Sequence, residues 1–152
     1  MKRISIVAIV VFLVPLFAFA DEMISMQANK LKWGPAPPVL KKGALAAVLS
    51  GDPSKEGPFV MRLKFPAGFR VYPHWHPTDE HVTVISGMMN LAMGDSFDKS
   101  KAKSYPPGGY AMLPAQMHHY AWASVDSVVQ IHGMGPFVLN YVNPSDDPRK
   151  GK

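Results

Sequence analysis

Cysteine is absent from the 152 residues, which removes disulfides, thiol nucleophiles and thiolate metal ligands together. Charge is sparse as well, at 18% against 47% apolar residues, a balance that excludes a disordered chain and allows a buried core. No repeat at a solenoid period and no second domain is visible. Uninterrupted stretches suited to long helices are lacking too, because 15 Pro and 12 Gly punctuate the chain. What is present in their place is aromatic: eight Phe, five Tyr and three Trp, which pack well on pleated strands. The composition predicts one all-β domain.

The long apolar run, residues 4–19, lies at the start. It follows Met1, Lys2 and Arg3 and ends in Ala18-Phe19-Ala20 before Asp21, the pattern of a cleaved secretory signal. An uncleaved anchor is the alternative, but a bilayer-spanning helix needs about 20 apolar residues, and Pro15 interrupts the run near its end. Residues 1–20 are therefore expected to be a signal cut after Ala20, leaving a periplasmic or secreted protein with no stable membrane insertion. The net charge of +5 then divides unevenly. Seven acids and seven bases cancel between residues 43 and 143, so the excess sits in Lys2, Arg3, Lys30, Lys32, Lys41, Lys42 and the tail. With no basic cluster on the domain, nucleic acid is not an expected partner.

Residues 21–58 carry many turn formers and read as an extended N-terminal approach segment that wraps the domain, with a short strand possible near residues 44–49. From Phe59 the pattern alternates strictly: Phe59, Met61, Leu63 and Phe65 on one face, Val60, Arg62 and Lys64 on the other. Further strand-like runs occupy 70–76, 80–86, 89–93, 109–113, 119–123, 127–132 and 137–142, separated by turn signals. About eight short, closely spaced strands argue a sandwich, jelly roll or small barrel over 59–143, followed by a basic tail at 144–152.

All six histidines lie between residues 74 and 132. Residues two apart on a strand share a face, so His74 and His76 point one way and Trp75 the other. The turn at Pro77-Thr78-Asp79 returns Glu80 beside them. Two imidazoles and one carboxylate from a single hairpin form a metal-binding set with open positions, suited to Fe(II) and open to Mn, Ni, Cu or Zn. The same spacing also fits packed or surface histidines beside a turn.

The surrounding residues carry a resemblance. Gly68, His74, His76, Glu80 and Gly87 match G-x5-H-x-H-x3-E-x6-G, the first signature of the cupin superfamily. Gly108, Pro114 and His119 match the second, G-x5-P-x-G-x2-H-x3-N, while Gln116 and Ala123 stand where that signature has Gly and Asn. The resemblance spans 59–142. It implies a double-stranded β-helix, the cupin jelly roll, with a metal held by His74, His76, Glu80 and His119. His118 is the rival for the fourth position; His119 is preferred because its offset from Pro114 fits the signature and its strand face carries the small Ala121 and Ala123. Cupins often dimerise through sheet faces, so the resemblance also implies a homodimer.

Such a site suits a catalyst, with Fe or Mn favoured and dioxygenase-like or isomerase-like chemistry on a small molecule expected. A non-catalytic periplasmic binding or sensing module is the alternative, and a structural jelly roll with an empty site a third. Ligating imidazoles usually donate their other N–H to a neighbour. His132 is the leading candidate for that or an acid–base role, on a face shared with Val128 and Gln130; Tyr72, Tyr110 and Gln130 are weaker candidates. His81 is expected on the surface. The methionines at 88, 89, 93, 112, 117 and 134 suggest Cu(I) ligation, but core packing is the preferred reading.

Overall fold

The computed structural model describes residues 23–150, so the expected signal and its cut site lie outside the described residues. Eleven strands are present: β1 (Gly34–Pro35), β2 (Leu45–Ser50), β3 (Gly57–Phe65), β4 (Arg70–Trp75), β5 (Glu80–Ser86), β6 (Met89–Met93), β7 (Lys103–Tyr105), β8 (Tyr110–Leu113), β9 (His119–Ala123), β10 (Ser127–Gly135) and β11 (Asn140–Tyr141). They form two antiparallel sheets, ordered β1-β2-β3-β10-β5-β8 and β11-β4-β9-β6-β7. Among the described residues no helix is long and apolar enough to cross a membrane.

The two sheets face each other across one core, because each strand puts alternate side chains inward. Phe59, Met61, Leu63 and Phe65 of β3 are all buried, as their spacing predicts, and meet Val82 and Val84 of β5 and Val129 and Ile131 of β10. Each such side chain contributes about 1.5–3 kcal/mol when fully buried. The jelly roll is thus closed by the inner faces of strands that are distant in sequence. Gly87 makes the β5–β6 turn possible: its φ is +81°, and a Cβ there would run into Ser127 Oγ and the Asp126 carbonyl.

Strand β9 departs from simple alternation, since all five of its residues are buried. His119, Ala121 and Ala123 face inward as expected. Tyr120 and Trp122, on the opposite face, lie under Phe97 and Ala102, which form a second small apolar cluster with Ala92. The Tyr120 hydroxyl donates to the Asp98 carbonyl at 2.8 Å, which fixes this covering loop.

The segment before β2 lies across one end of the barrel. Ala36, Val39 and Leu40 pack against the main core, and the Tyr141 hydroxyl donates to the Val39 carbonyl at 2.8 Å. Burial, helped by nearby Asp147 and Asp146, pushes the Tyr141 phenol up to about 12, so this donor keeps its proton at any physiological pH.

The methionine expectation needs correction. Met61 and Met89 are in the core, but Met93, Met112, Met117 and Met134 are all more than 40% exposed. Strand phase puts Met112 and Met134 on the outer face, Met93 ends β6 and Met117 lies between β8 and β9, so core packing explains none of the four.

Candidate metal centre

Three imidazoles and one carboxylate converge inside the barrel near its N-terminal strap. His74 arrives on β4, His119 on β9 directly opposite it, His76 just past β4, and Glu80 at the first position of β5. All four are buried, at 1–6% exposure. One ring nitrogen from each of His74, His76 and His119 lies within 4.8 Å of the other two. Glu80 Oε2 sits 3.5 Å from His76 Nε2 and 3.4 Å from His119 Nε2.

A β-bulge aims His74 inward. Between the pairs Val71↔Ala121 and His74↔His119, β4 uses one residue more than β9. The extra residue reverses the phase, so Val71 and His74 both point to the interior although an odd number of positions separates them. Pro73, without an N–H to give to the ladder, lies within this irregular stretch.

Backbone carbonyls then fix each ring. His74 Nδ1 lies 2.7 Å from the Tyr72 carbonyl, His76 Nδ1 2.7 Å from the Val138 carbonyl, and His119 Nδ1 2.9 Å from the Met117 carbonyl. A carbonyl can only accept, so each Nδ1 carries the proton and donates it. The Nε2 lone pair of each neutral ring is thereby turned to the centre. His76 Nε2 and His119 Nε2 are fully buried and have no hydrogen-bond partner. Buried polar atoms without partners are costly and call for an explanation; a metal ion supplies one.

The electrostatics agree with ligation. Burial, reinforced by the adjacent His119 and His76 imidazoles, holds His74 well below its ordinary value. Burial likewise lowers His76, only partly opposed by Glu80. Burial pushes the Glu80 carboxyl up, but the neighbouring His119 and His76 imidazoles outweigh it and hold Glu80 below the usual carboxylate range. Neutral imidazoles beside an ionised carboxylate are the protonation states a divalent ion requires.

The histidine expected as the rival ligand is elsewhere. His118 points away from the centre, its Nδ1 2.7 Å from the exposed Asp95 carboxylate. His132 and Tyr72, expected near the centre, are not in it. On β10 the inward residues are Val129 and Ile131; Val128, Gln130 and His132 occupy the outer face, where Gln130 accepts from Arg62 Nε and His132 stacks on His81. Burial, together with the charge of His81, lowers His132 below its usual value, but at the surface. Tyr72 turns outward at the bulge, its ring beside Phe97 and under the Lys41 ammonium. Tyr110 is exposed and hydrogen bonds to His81. The supporting N–H acceptors are main-chain carbonyls, among them that of Tyr72, so no side chain is needed for that task.

What the sequence did not reveal is the wall of the site. The cavity above the cluster, about 90 Å³, is lined by Met61, Leu63, Phe65, Val71, Leu91 and Ile131 among others, with Pro37, Val39 and Leu40 of the strap at one side. Its polar lining residues are His74, His76, Glu80 and His119 alone. Phe137 stacks on the His76 ring at 4.4 Å between centroids. The alternation of β3 and β5 could have nominated most of this wall; nothing local nominates the strap.

A family model described as a domain of unknown function, DUF4437, matches residues 15–137. The chain belongs to that family. Its structural neighbours include proteins described as cupins, and the two-sheet jelly roll here has their fold. One neighbour is a cupin from Shewanella frigidimarina of the RmlC-like type, 15% identical with a TM-score of 0.58, covering 75% of this chain and 91% of that one. A polyketide cyclase, RemF, from Streptomyces resistomycificus is 16% identical with a TM-score of 0.69, covering 85% of this chain and 92% of that one. An acetylacetone dioxygenase from Acinetobacter johnsonii is 16% identical with a TM-score of 0.61, covering 90% of this chain and 88% of that one. At these identities the likeness shows the fold alone. No curated protein matches the sequence.

The departures from the second cupin signature become intelligible in this fold. Gln116, in place of Gly, has φ +63° and is the one non-glycine residue with positive φ among those described. Its N–H donates to the His76 carbonyl at 2.7 Å, so the left-handed turn is tied to the ligand-bearing segment. Ala123, in place of Asn, donates its N–H to Phe69 and accepts from the Gly68 N–H, closing that corner with main-chain bonds.

Proposed function

We propose that the protein is an exported metalloenzyme that oxidises a small, apolar, oxygen-chelating molecule in a dioxygenase-like reaction at His74, His76, His119 and Glu80. The observation that carries the reading is the pairing of a buried N3O cluster with a wall that is otherwise apolar. The wall offers no cation to bind an acid and no hydroxyl or amide to bind a sugar. Recognition then falls to the ligand's own oxygens at the metal and to apolar contact for the rest. A cavity of about 90 Å³ admits only a small molecule, well below drug-sized pockets of about 300–1,000 Å³. The acetylacetone dioxygenase among the structural neighbours is named for a molecule of this kind.

Fe or Mn, the favoured ions, would supply Lewis acidity and one-electron chemistry when held by these four side chains. The chain's part is distinct. The carbonyl tethers aim the imidazoles, burial keeps His74 and His76 neutral, and Glu80 balances part of the ion's charge. Met61, Leu63, Phe65 and Ile131 exclude water and orient the apolar body. Glu80 is the group in the cavity wall able to take a substrate proton. With His132 and Tyr72 outside the cavity, the second acid–base partner that an isomerase would use is lacking among its lining residues, which favours oxidative chemistry over isomerisation.

The test is metal analysis of protein purified without chelator, followed by oxygen-uptake assays of the Fe- and Mn-loaded protein with β-diketones, enols and catechols. Near-stoichiometric metal and oxygen consumption with one of these classes are expected. Full loading without turnover of any would overturn the enzymatic reading in favour of a ligand-binding or sensing cupin. Export is tested by the size and N-terminal sequence of the protein recovered from the periplasm or medium; a full-length cytoplasmic product would overturn it.

A further inference from the structure

On the outer face of the six-stranded sheet, β10, β5 and β8 bring three soft or borderline donors into one row. His132 of β10 pairs with His81 of β5, and His81 with Met112 of β8. The two imidazole rings are parallel within 9° with centroids 4.6 Å apart. The Tyr110 hydroxyl lies 2.7 Å from His81 Nδ1, fixing that ring and leaving its Nε2 unengaged, just as a supporting partner does for a ligating histidine. Met134 lies two residues beyond His132 on the same face and walls one surface depression together with His81, Thr78 and Asp79. Met112 and Met134 are 47% and 53% exposed, positions where an apolar side chain gains little from burial.

We propose that His81 and His132 form a second, surface metal site for a borderline-to-soft transition ion, copper foremost, flanked by the Met112 and Met134 thioethers. Paired imidazoles accept Cu(II), Ni(II) or Zn(II); thioethers add preference for Cu(I), so the donor set singles out copper. The site is independent of the buried centre: Glu80 and His81 are consecutive on β5 and therefore face opposite sides of the sheet.

The probe is Cu(II) added to the full chain, with bound equivalents counted by titration and nitrogen ligation read by electron paramagnetic resonance. The wild type is expected to take two equivalents, His119→Ala to keep the outer one, and His132→Phe to keep the inner one. Phe preserves the stack on His81, and His132→Gln serves as a second variant; far-UV circular dichroism reports that both fold. Losing a direct ligand should weaken the outer equivalent by more than the roughly 10-fold minimum typical of losing a supporting group. Two equivalents at wild-type affinity in His132→Phe, or a single wild-type equivalent that this variant retains, would overturn the site. Met112→Leu combined with Met134→Leu should weaken Cu(I) while sparing Cu(II); unchanged Cu(I) binding would overturn the thioether contribution.

Discussion

The inner and outer histidines of this jelly roll differ in what holds Nδ1, although several are sequence neighbours. His119 and His118 are adjacent, as are Glu80 and His81, yet one of each pair faces the core and the other the surface. Inside, each Nδ1–H is taken by a main-chain carbonyl belonging to Tyr72, Val138 or Met117. Outside, His81 and His118 meet side chains, Tyr110 and Asp95. A carbonyl cannot donate and cannot rotate away, so the inner rings are committed to one tautomer before any ion arrives. The outer partners are exposed side chains, which can rotate away. Preorganisation here comes from strand geometry.

The largest break in that comparison is to remove inner donors. His74→Ala with His76→Ala should abolish stoichiometric metal in elemental analysis and lower affinity by more than about 100-fold, beyond the usual loss from a supporting group. The thermal shift produced by metal should disappear with it, since an ion at 100 times its Kd stabilises the native state by about 2.7 kcal/mol. His81→Ala should leave the inner metal in place.

Acid should next separate inner from outer. His74 and His76 are depressed in the fold, so below their unfolded value near 6.5 the unfolded chain binds protons that the folded chain refuses. Stability of the metal-free protein is therefore highest above that value and falls as pH drops toward the depressed folded values, by up to about 1.4 kcal/mol per pH unit for each ring. Glu80, also depressed, extends the loss below about pH 4.5. Urea midpoints of chelator-treated protein between pH 8 and 5 would show it; a flat profile would mean that the rings protonate in place. The same series with His74→Ala should lose part of that slope.

The inward cluster was legible in the sequence because the H-x-H spacing and the two signatures carry their own register: once His74 faces inward, so must His76, and Glu80 returns on the next strand. The core of β3 was legible for the same reason. His132 was misplaced because β10 has apolar residues on both faces, Val128 and Val129 side by side, and the polar Gln130–His132 face was taken for the lining. Tyr72 was misplaced because counting back by two from His74 fails across a bulge, although Pro73 marks the spot. The burial of Tyr120 and Trp122 depends on a loop that starts more than twenty residues upstream. The strap over the cavity is tied to Tyr141 by a hydrogen bond spanning 102 residues. Strand periodicity carries no record of either contact.

Gln116 offers a gain in place of a loss. A non-glycine residue in the left-handed region costs roughly 1–2 kcal/mol, part of which glycine returns as unfolded-state entropy. Gln116→Gly, restoring the signature residue, should raise stability by about 1 kcal/mol, several degrees in Tm for a domain of this size. It should not alter metal affinity, because the tie to the ligand-bearing segment is the backbone N–H, which glycine keeps.

The smallest expected effect decides the question the sequence left between His118 and His119. The His118–Asp95 pair is exposed, with side chains 38% and 70% accessible, and such surface pairs contribute about 0–1 kcal/mol. His118→Ala should therefore shift the urea midpoint only marginally and leave bound metal stoichiometric, while His119→Ala should lose the metal. His119 opens β9 and His118 immediately precedes it, so a general disturbance of β9 would affect the two variants alike. A difference between them can arise only from the direction each ring faces. If His118→Ala also emptied the centre, the 2.7 Å contact with Asp95 would have to be read as a resting position from which His118 turns inward to bind.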